Sequence, residues 1–186
     1  MLSTTDAIVM SLQPHSDKAH VLHAYTRAGG RVNYMVYGLG RKNAAGKYSP
    51  LSIVQLTIDD RSVRTAQLSY VPTTLTTDPY KRTIALFLSE VLFHVLRHPM
   101  VDEPMYDYLA QAIQDLDQSQ DPQNFHLEFL IGLAARLGFA MEETPALPHT
   151  RKERQETLKS LCAYFEKHVE TWQNPKSLDI LMDVFD

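Results

Sequence analysis

Cationic side chains crowd a short, glycine-containing loop in the first half of this 186-residue chain. Arg41, Lys42 and Lys47 lie in the basic loop, residues 38–47, where glycines at positions 38, 40 and 46 relieve the backbone. Cations on such a loop can hold the phosphates of a nucleic acid without reading its sequence, because each phosphate contact releases condensed counterions. The alternative is that they are ordinary solvated charges of a surface hairpin. The residue types and their spacing therefore indicate a candidate phosphate-binding loop.

Three further cations extend this candidate surface. Lys18, Arg27 and Arg31 are predicted at turns or at a strand end of the same β-rich region. Together with the basic loop they would form a track along which a polyanion could run. Arg31 could equally pair with Asp17, so its place in the track stays open.

Tyrosines close to these cations offer faces on which nucleobases could stack. Base stacking on an aromatic side chain contributes about 1–3 kcal/mol per base in single-strand binders. Tyr25, Tyr34 and Tyr37 are the candidates. Alternation along a regular strand puts Tyr34 and Tyr37 on opposite faces, so at least one of them belongs to the core. We predict that Tyr34 is the exposed one.

The charge of the chain is distributed unevenly. The net charge of −4 argues against a strongly basic nucleic-acid binder. Residues 1–78, however, carry eight basic and five acidic side chains, whereas residues 79–186 carry ten basic and seventeen acidic ones. The two parts therefore have net charges of +3 and −7. This asymmetry predicts that the first part meets a polyanion and that the second part has another task.

The sequence lacks the residue patterns needed for a disulfide, a metal site or hydrolase catalysis. Cys162 is the only cysteine, so no internal disulfide and no zinc cluster of the usual spacing can form. His20 and His23 stand three apart on a predicted strand and face opposite sides, which separates them as metal ligands. Ser16 and Asp17 lack the nucleophile turn and the oxyanion donors of a hydrolase. We therefore predict no metal, no cofactor and no enzymatic activity.

The apolar segments of the chain are too short to cross a membrane. The richest run, residues 84–96, is interrupted by Ser89, Glu90 and His94. The N-terminus lacks the layout of a signal peptide because Asp6 interrupts it early. The chain is therefore predicted to be cytoplasmic and to have no membrane partner.

The elements that must position the cations are predicted to be β-strands. Segments rich in Val, Ile, Thr and Tyr alternate with turn residues over this region. Five short strands, with a longer loop between the third and the fourth, are typical of a Greek-key barrel of the OB type. We therefore predict an OB-fold domain over residues 1–77. Its strands are expected at residues 6–13, 19–26, 31–37, 52–59 and 63–70.

The rest of the chain, residues 78–186, is predicted to be an all-helical domain. Residues 71–78 have no helical pattern and mark the boundary, after which Asp78 and Pro79 open the first helix as N-cap and first-turn residue. Leu86 and Phe93 lie apart from the main apolar stripe of this helix, so we expect more than one face to be buried. Helices are predicted from Pro79 to the His98-Pro99 pair and over 101–116, 122–137, 152–171 and 178–185.

Four segments, taken in order, resemble the RecO family of DNA repair and recombination mediator proteins. The first is DAIVMSLQPHSDKAHVLHAYTRAGGRVNYMVYGLGR, which starts at Asp6. In the helical part the resemblance rests on DPYKRTIALFLSEVLFHVLR, NFHLEFLIGLAARLGF and KSLDILMDVF. The resemblance covers nearly the whole chain and implies an N-terminal OB barrel followed by a helical domain. The residues at the family's matching places in the first segment are Ser16, Asp17, Lys18, Thr26, Gly30, Arg31, Gly38 and Arg41.

The chain departs from the family pattern in its helical part. The four-cysteine zinc module of many members is absent, as it is in shorter, metal-free members. The family also has more residues between the counterparts of Phe139 and Arg154, a gap that residues 140–153 bridge here. We expect either a naturally trimmed member or a segment that is missing from this sequence.

The resemblance implies a mediator of recombination. Proteins of this family bind single- and double-stranded DNA and anneal complementary strands. With the partner RecR they help to load the recombinase RecA onto DNA coated by single-strand-binding protein (SSB), and their helical domain contacts the acidic, hydrophobic C-terminal tail of SSB. For this chain the resemblance predicts the same partners and a nucleoid-associated location. The alternative is a protein-binding adaptor whose OB barrel recognises another protein.

A site for that tail is predicted on the third helix of the helical domain. Phe129, Leu133 and Leu137 recur at helical spacing and are first of all core residues. A groove beside them, rimmed by Arg136, could accept an apolar segment that carries acidic residues. We predict these four residues as the partner-binding set.

Overall fold

The computed structural model describes residues 1–39, 45–70 and 72–184. The chain divides into two compact units, of which one comprises residues 1–73 with 96–114 and the other comprises 74–95 with 115–186. The segment 96–114 thus belongs to the strand-rich unit although it follows the first long helix. The helices are α1 (Thr74–Thr77), α2 (Pro79–Val95), α3 (Glu103–Gln118), α4 (Phe125–Arg136), α5 (Arg151–His168) and α6 (Leu178–Val184), and a 3₁₀ turn spans Ala45–Tyr48.

The strands of the first unit form a closed barrel. They are β1 (Leu2–Ser16), β2 (Ala19–Thr26), β3 (Gly30–Tyr37), β4 (Ile53–Asp59) and β5 (Ser62–Tyr70). Their order is β1–β2–β3–β5–β4, with β4 pairing back onto β1. Neighbours are antiparallel except β3 and β5, which run parallel where Met35 lies opposite Ser62. The predicted fold class, a five-stranded OB barrel followed by helices, is confirmed, and closure of the barrel removes exposed strand edges.

β1 is longer than predicted because it serves two neighbours. Its first residues pair with β4, where Leu2 lies opposite Asp59, and its later residues pair with β2 as far as Ser16. A bulge between Val9 and Ser11 bends the strand between these two partners. The first residues are mostly exposed and polar, so the alternation of apolar side chains marks only the centre of the strand.

Alternate side chains of all five strands fill the barrel interior. Small alanines lie among larger side chains, so that rows from facing strands can interlock at the density of a protein core. Burial of this apolar surface, at about 25 cal/mol per Å², is the main force that holds the barrel together. The interior comprises Ala7, Val9, Leu22, Ala24, Tyr34, Val36, Tyr48, Val54, Leu56, Ile58 and Ala66.

The segment 96–114 packs on the outside of this barrel. The guanidinium of Arg27 lies 4.6 Å from the ring centre of Tyr106 and bonds to the carboxylate of Asp107, both on α3. Gly30 has a φ of +63°, and a Cβ at this position would lie 2.1 Å from the carbonyl oxygen of Met100. Only glycine therefore fits where the start of β3 meets the segment.

In the second unit, the one-turn helix α1 lies in the segment that was predicted to lack helical structure, so that prediction was wrong. The carboxylate of Asp117 accepts hydrogen bonds from the N–H groups of Thr74 at 2.7 Å and Leu75 at 3.3 Å. The buried ammonium of Lys81 donates to the Asp117 carbonyl oxygen at 2.7 Å. The start of α1 is thus capped by a residue 43 positions away, which no local pattern reveals.

Helix α2 buries one face. Its start is capped as predicted, because the Asp78 carboxylate accepts the N–H of Tyr80 at 2.8 Å. Phe87 and Val91 are fully buried, whereas Leu86 is 38% exposed. The prediction that Leu86 belongs to a second buried face was therefore wrong.

The end of α4 and the start of α5 follow local rules. Gly138, with a φ of +89°, terminates α4, and the N–H groups of residues 138 and 139 bond to the carbonyls of Ala135 and Ala134. Thr150 and Glu153 form a reciprocal capping box at the start of α5. The residues that determine these two helix ends are close together in the sequence, so a local sequence pattern can predict where the helices end and begin.

Candidate nucleic-acid interface

The basic loop ends in a turn that is anchored to the barrel. Arg41 and Lys42 lie outside the described residues. Lys47 lies in the 3₁₀ turn, and its ammonium donates to the carbonyl oxygen of Ala66 on β5 at 2.9 Å. Tyr48, the last residue of that turn, is buried in the barrel interior. The barrel therefore holds the end of the loop, while Lys47 itself is exposed.

Two tight turns bring further cations to the same end of the barrel. Lys18 is exposed in the turn between β1 and β2, and its carbonyl oxygen accepts the N–H of Gly38 at 3.4 Å. Arg61 is exposed in the turn between β4 and β5, and its carbonyl oxygen accepts the N–H of Met35 at 2.7 Å. Both turns therefore lie beside the last part of β3, from which the basic loop starts.

Lys18 and Arg61 flank the end of β3, and Lys47 lies farther along β5, where it bonds to Ala66; we name these three residues the cationic end of the barrel. Within the described part of the chain, none of the three forms a salt bridge. Arg61 is not among the DNA-binding residues predicted from the sequence. The signal that could have found it was its position in a turn between two predicted strands, equivalent to that of Lys18.

Tyr37, and not Tyr34, is the exposed tyrosine of β3. Tyr34 is 8% exposed and belongs to the barrel interior, whereas Tyr37 is 59% exposed. The predicted exposure of Tyr34 was wrong, because the register of β3 turns Tyr34 and Val36 inward and Tyr37 outward. Tyr25 is also buried. The aromatic ring that is exposed at the end of β3 is therefore that of Tyr37.

Arg27 is matched by acidic residues of α3. Its guanidinium bonds to Asp107 and lies 3.7 Å from the carboxylate of Glu103. The hydrogen bond to Asp107 is the main cause that raises the pKa of Arg27 above its usual value. Arg27 therefore neutralises acids within its own unit instead of adding an open charge to the cationic end.

Arg31 is half-buried at the opposite end of β3 from Tyr37. Its guanidinium donates to the sulfur of Met10 at 3.0 Å and lies 3.2 Å from Nδ1 of His23. Burial lowers the pKa of Arg31 to about 10, and the neighbouring charge of Arg97 acts in the same direction. Arg31 thus lies half-buried on the outer face of β3, next to Leu96 and apart from the cationic end.

The residues predicted to bind the tail differ in exposure. Phe129 and Leu133 are 5% and 0% exposed and form part of the core of the second unit. Leu137 is half-buried, and Arg136 is exposed, with Nη1 3.3 Å from the carbonyl oxygen of Gly132 on its own helix. The prediction that Phe129 and Leu133 are core residues is confirmed, and the groove beside them, rimmed by Arg136, stays a prediction.

A cleft elsewhere in the second unit combines arginines with apolar walls; we name it the arginine cleft. Its cavity volume is about 10 Å³, room for about one water molecule, so the cleft is shallow. Arg151 bonds to the Asp183 carboxylate at 3.3 Å. Burial lowers the pKa of His126 to about 3, and the charge of Arg154 acts in the same direction, so this imidazole is neutral. The lining residues, which come from three helices, include His126, Arg151, Arg154, Gln155, Leu181 and Met182.

Metal-ligating side chains are dispersed over residues 1–39, 45–70 and 72–184. Among these residues, no three His, Cys, Asp or Glu side chains are placed to share a metal ion. Cys162 is buried, and burial raises the pKa of its thiol to about 12, which makes it a poor nucleophile. No helix within the same ranges is long and apolar enough to cross a membrane.

The architecture defines the class of OB-fold proteins that carry a helical unit after the barrel. Two family models match the chain: Recombination protein O N terminal over residues 1–78 and Recombination protein O C terminal over residues 76–145. Together the two matches run through most of the sequence without a break. The chain therefore belongs to the RecO family of DNA repair proteins.

Curated relatives named DNA repair protein RecO are similar to this chain. The protein from Porphyromonas gingivalis is 31% identical over 150 residues, which cover 74% of this chain and 61% of the relative. The protein from Phocaeicola vulgatus is 33% identical over 148 residues, with the same two shares. The protein from Christiangramia forsetii is 26% identical over 239 residues, and the match covers all of both chains.

The relatives differ from this chain in length. The chain spans about three fifths of the length of the first two relatives, at 61% of each. A match over 239 residues exceeds the 186 residues of this chain, so the alignment must contain gaps on this chain's side. The relative from Christiangramia forsetii therefore has residues without a counterpart here.

Proposed function

We propose that this protein binds single- and double-stranded DNA through the cationic end of its barrel and anneals complementary strands in recombinational repair. The observation that carries the proposal is that Lys18 and Arg61 lie in turns beside the end of β3, next to the exposed ring of Tyr37, while Lys47 is held on β5 by its bond to Ala66. Membership of a DNA repair family supports it. The protein would act by binding, without a catalytic step, at the nucleoid in the cytoplasm.

Contacts to phosphates suit annealing because they leave the bases free. Hydrogen bonds to phosphate and sugar position a protein on a nucleic acid but carry no sequence information. A strand that is held by its backbone still presents its base edges to a complementary strand. Each phosphate contact on a single strand contributes about −0.7 to the slope of log affinity against log salt, so three contacts predict a slope of about −2.

We further propose that the protein is a mediator that works with RecR to load RecA onto SSB-coated DNA. In this proposal the acidic, hydrophobic tail of SSB docks in the arginine cleft. The cleft supports this role because the side chains of Arg151 and Arg154 lie beside the apolar walls of Leu181 and Met182. A carboxylate of the tail would pair with a guanidinium while an apolar residue packs against Leu181 and Met182 at the surface.

Fluorescence anisotropy with a labelled single-stranded oligonucleotide at two salt concentrations tests DNA binding. Between 50 and 200 mM salt, a slope of about −2 predicts a rise in Kd of roughly tenfold or more. An apolar protein interface would respond weakly to the same change of salt. Failure to bind DNA at low salt, together with salt-insensitive binding to another protein, would favour the adaptor alternative.

Calorimetry with a synthetic peptide of the SSB tail tests the second part of the proposal. Arg154→Gln removes a guanidinium from the arginine cleft and should weaken peptide binding at least tenfold, since a charged contact in such a cleft is a main anchor. Arg136→Gln is the matched control, because Arg136 is exposed outside the cleft. If the peptide still binds Arg154→Gln but no longer binds Arg136→Gln, the tail-binding site lies on α4 and not in the arginine cleft.

A further inference from the structure

An acidic side chain of the protein already occupies one guanidinium of the arginine cleft. The carboxylate of Asp183, in the last turn of α6, lies 3.3 Å from Nη2 of Arg151, the first residue of α5. The same nitrogen lies 3.5 Å from the carbonyl oxygen of Met182. Arg151 therefore meets the end of α6 through a backbone carbonyl and through a side chain of opposite charge.

The residues next to Asp183 have the chemistry that is expected of the partner segment. Leu181 and Met182 are apolar and line the cleft, and Asp183 follows them directly. The SSB tail that is proposed to dock here is likewise acidic and hydrophobic. The end of α6 thus presents to Arg151 the same type of group that the partner would bring.

The ion pair between Asp183 and Arg151 is open to solvent. The side chain of Asp183 is 79% exposed, and that of Arg151 is 40% exposed. Exposed ion pairs contribute little to stability, because water solvates both charges when they separate and because salt screens their attraction. A second carboxylate can therefore replace that of Asp183 on the guanidinium at a small cost.

Helix α6 is held at both ends by groups other than the carboxylate of Asp183. Just before the helix begins, the carboxylate of Glu90 accepts the N–H of Ser177 at 3.0 Å and its hydroxyl at 2.8 Å. At the other end, the side-chain amide of Gln155 donates to the carbonyl oxygen of Met182 at 2.9 Å. The carboxylate of Asp183 can therefore move away from its partner while the helix stays in place.

We propose that Asp183 is an internal competitor for Arg151 that lowers the affinity of the arginine cleft for acidic partner segments. This inference rests on the proposed docking of the SSB tail in the cleft, and it names a residue that regulates that docking. A carboxylate of the tail takes the place of Asp183 on the guanidinium, while a neighbouring apolar residue packs against Met182. Only a segment whose carboxylate replaces that of Asp183 gains the contact to Arg151.

Calorimetry with a synthetic peptide of the SSB tail tests this competition. Asp183→Asn removes the competing charge and should lower the Kd roughly twofold to fivefold, the range that one exposed ion pair can supply. Asp179→Asn is the matched control, because it removes the same charge from an exposed position in the first turn of α6 and should leave the Kd unchanged. In the Arg151→Gln background the effect of Asp183→Asn should disappear, because the residue for which Asp183 competes is gone.

Nuclear magnetic resonance of the Asp183 carboxyl carbon gives a readout that does not depend on the affinity. In the unaltered protein the peptide should shift this signal, because the carboxylate leaves Arg151 when the tail binds. In Arg151→Gln the peptide should leave the signal in place. A signal that stays unchanged in the unaltered protein at saturating peptide would overturn the inference.

The possible results separate this inference from the proposed docking of the tail. If the unaltered protein and Asp183→Asn bind the peptide with the same Kd, Asp183 does not compete, and the docking of the tail stands. If Asp179→Asn lowers the Kd as much as Asp183→Asn does, the net charge of the protein is responsible and the competition is refuted. If the peptide binds neither the unaltered protein nor Asp183→Asn, both the docking and the competition are refuted.

Discussion

The charged side chains described in the two compact units differ in how far they are exposed. At the cationic end of the barrel, Lys18 and Arg61 are exposed in turns, and Lys47 meets a backbone carbonyl. In the helical unit, charged groups form hydrogen bonds that hold the helices and their connections together. The buried ammonium of Lys81 bonds to a backbone carbonyl, and the Glu90 carboxylate accepts both the N–H and the hydroxyl of a serine on the way into α6.

Net charge alone therefore does not locate a binding surface. The barrel unit contains Arg27, whose charge is already matched by Asp107 and Glu103. The acidic helical unit contains the arginine cleft. A cation is available to a polyanion only where the fold leaves it exposed and unmatched.

The largest effect is expected from the removal of Asp117, which caps α1. Asp117→Ala would take the side-chain acceptor away from the N–H groups of Thr74 and Leu75. We expect the free energy of unfolding to fall by about 3 kcal/mol, because a hydrogen bond to a charged group contributes about 1.5–3 kcal/mol. Urea denaturation measures this loss. Asp179→Ala, at an exposed acid of α6, is the control, and a similar loss in both variants would contradict a structural role specific to Asp117.

The next effect concerns the cationic end of the barrel. In a variant with Lys18→Ala, Lys47→Ala and Arg61→Ala, three proposed phosphate contacts are lost. The Kd for single-stranded DNA should rise roughly tenfold to a hundredfold at low salt, and the salt slope should become shallower by about 2. Stability should change little, because substitutions of exposed side chains usually stay within about 0.5 kcal/mol each. Anisotropy titration and thermal melting measure the two quantities.

A matched triple variant on α5 tests whether DNA affinity depends on the position of the cations or on the net charge of the chain. Lys152, Lys159 and Lys167 are exposed there, and their replacement by alanine removes the same total charge. We expect this variant to keep nearly the full DNA affinity. If both triple variants lose affinity equally, net charge governs binding and the comparison between the units fails.

Acid should destabilise the helical unit through His126. Burial lowers the pKa of His126 from 6.5 to about 3, with the charge of Arg154 adding to the effect. Below pH 6.5 the unfolded chain takes up a proton that the folded state does not bind, so stability falls as the pH drops from 6.5 toward 3. The loss between pH 7 and pH 5 should be about 2 kcal/mol, at most about 1.4 kcal/mol per pH unit.

Chemical denaturation at pH 7 and pH 5 measures the effect of His126. For the unaltered protein and for His126→Gln, the quantity to compare is the loss of unfolding free energy between pH 7 and pH 5. This loss is measured within each protein, so a lower stability of the variant at pH 7 does not affect it. The variant should lose less stability in acid. Equal losses in the two proteins would show that another group is responsible.

The smallest effect is expected at the aromatic face. Tyr37→Ala removes a ring that is 59% exposed and should weaken binding of single-stranded DNA by about 1 kcal/mol, roughly fivefold in Kd. The salt slope should stay unchanged, because stacking is not ionic. Tyr34→Phe, in the barrel interior, serves as the control and should leave the Kd unchanged. An unchanged Kd in Tyr37→Ala would remove stacking from the proposed mechanism.

Most elements of the fold could be predicted from the sequence alone. The strand β2 occupies the predicted residues 19–26, and α4 ends at Gly138 as its pattern indicates. The resemblance to the RecO family was also recognised from the order of its segments and is confirmed. These predictions succeed because apolar alternation, helical spacing and turn chemistry are properties of neighbouring residues.

Only the tertiary structure decided which charges and rings are available at the surface. Tyr34 and Tyr37 are equivalent candidates in the sequence, and the register of β3 buries the first and exposes the second. Arg27 is matched by acids of α3, which stand about 80 positions later in the chain. Asp117 caps α1 across 43 positions. In each case the outcome depends on groups that are distant in sequence and meet only in the fold, so a local pattern cannot encode it.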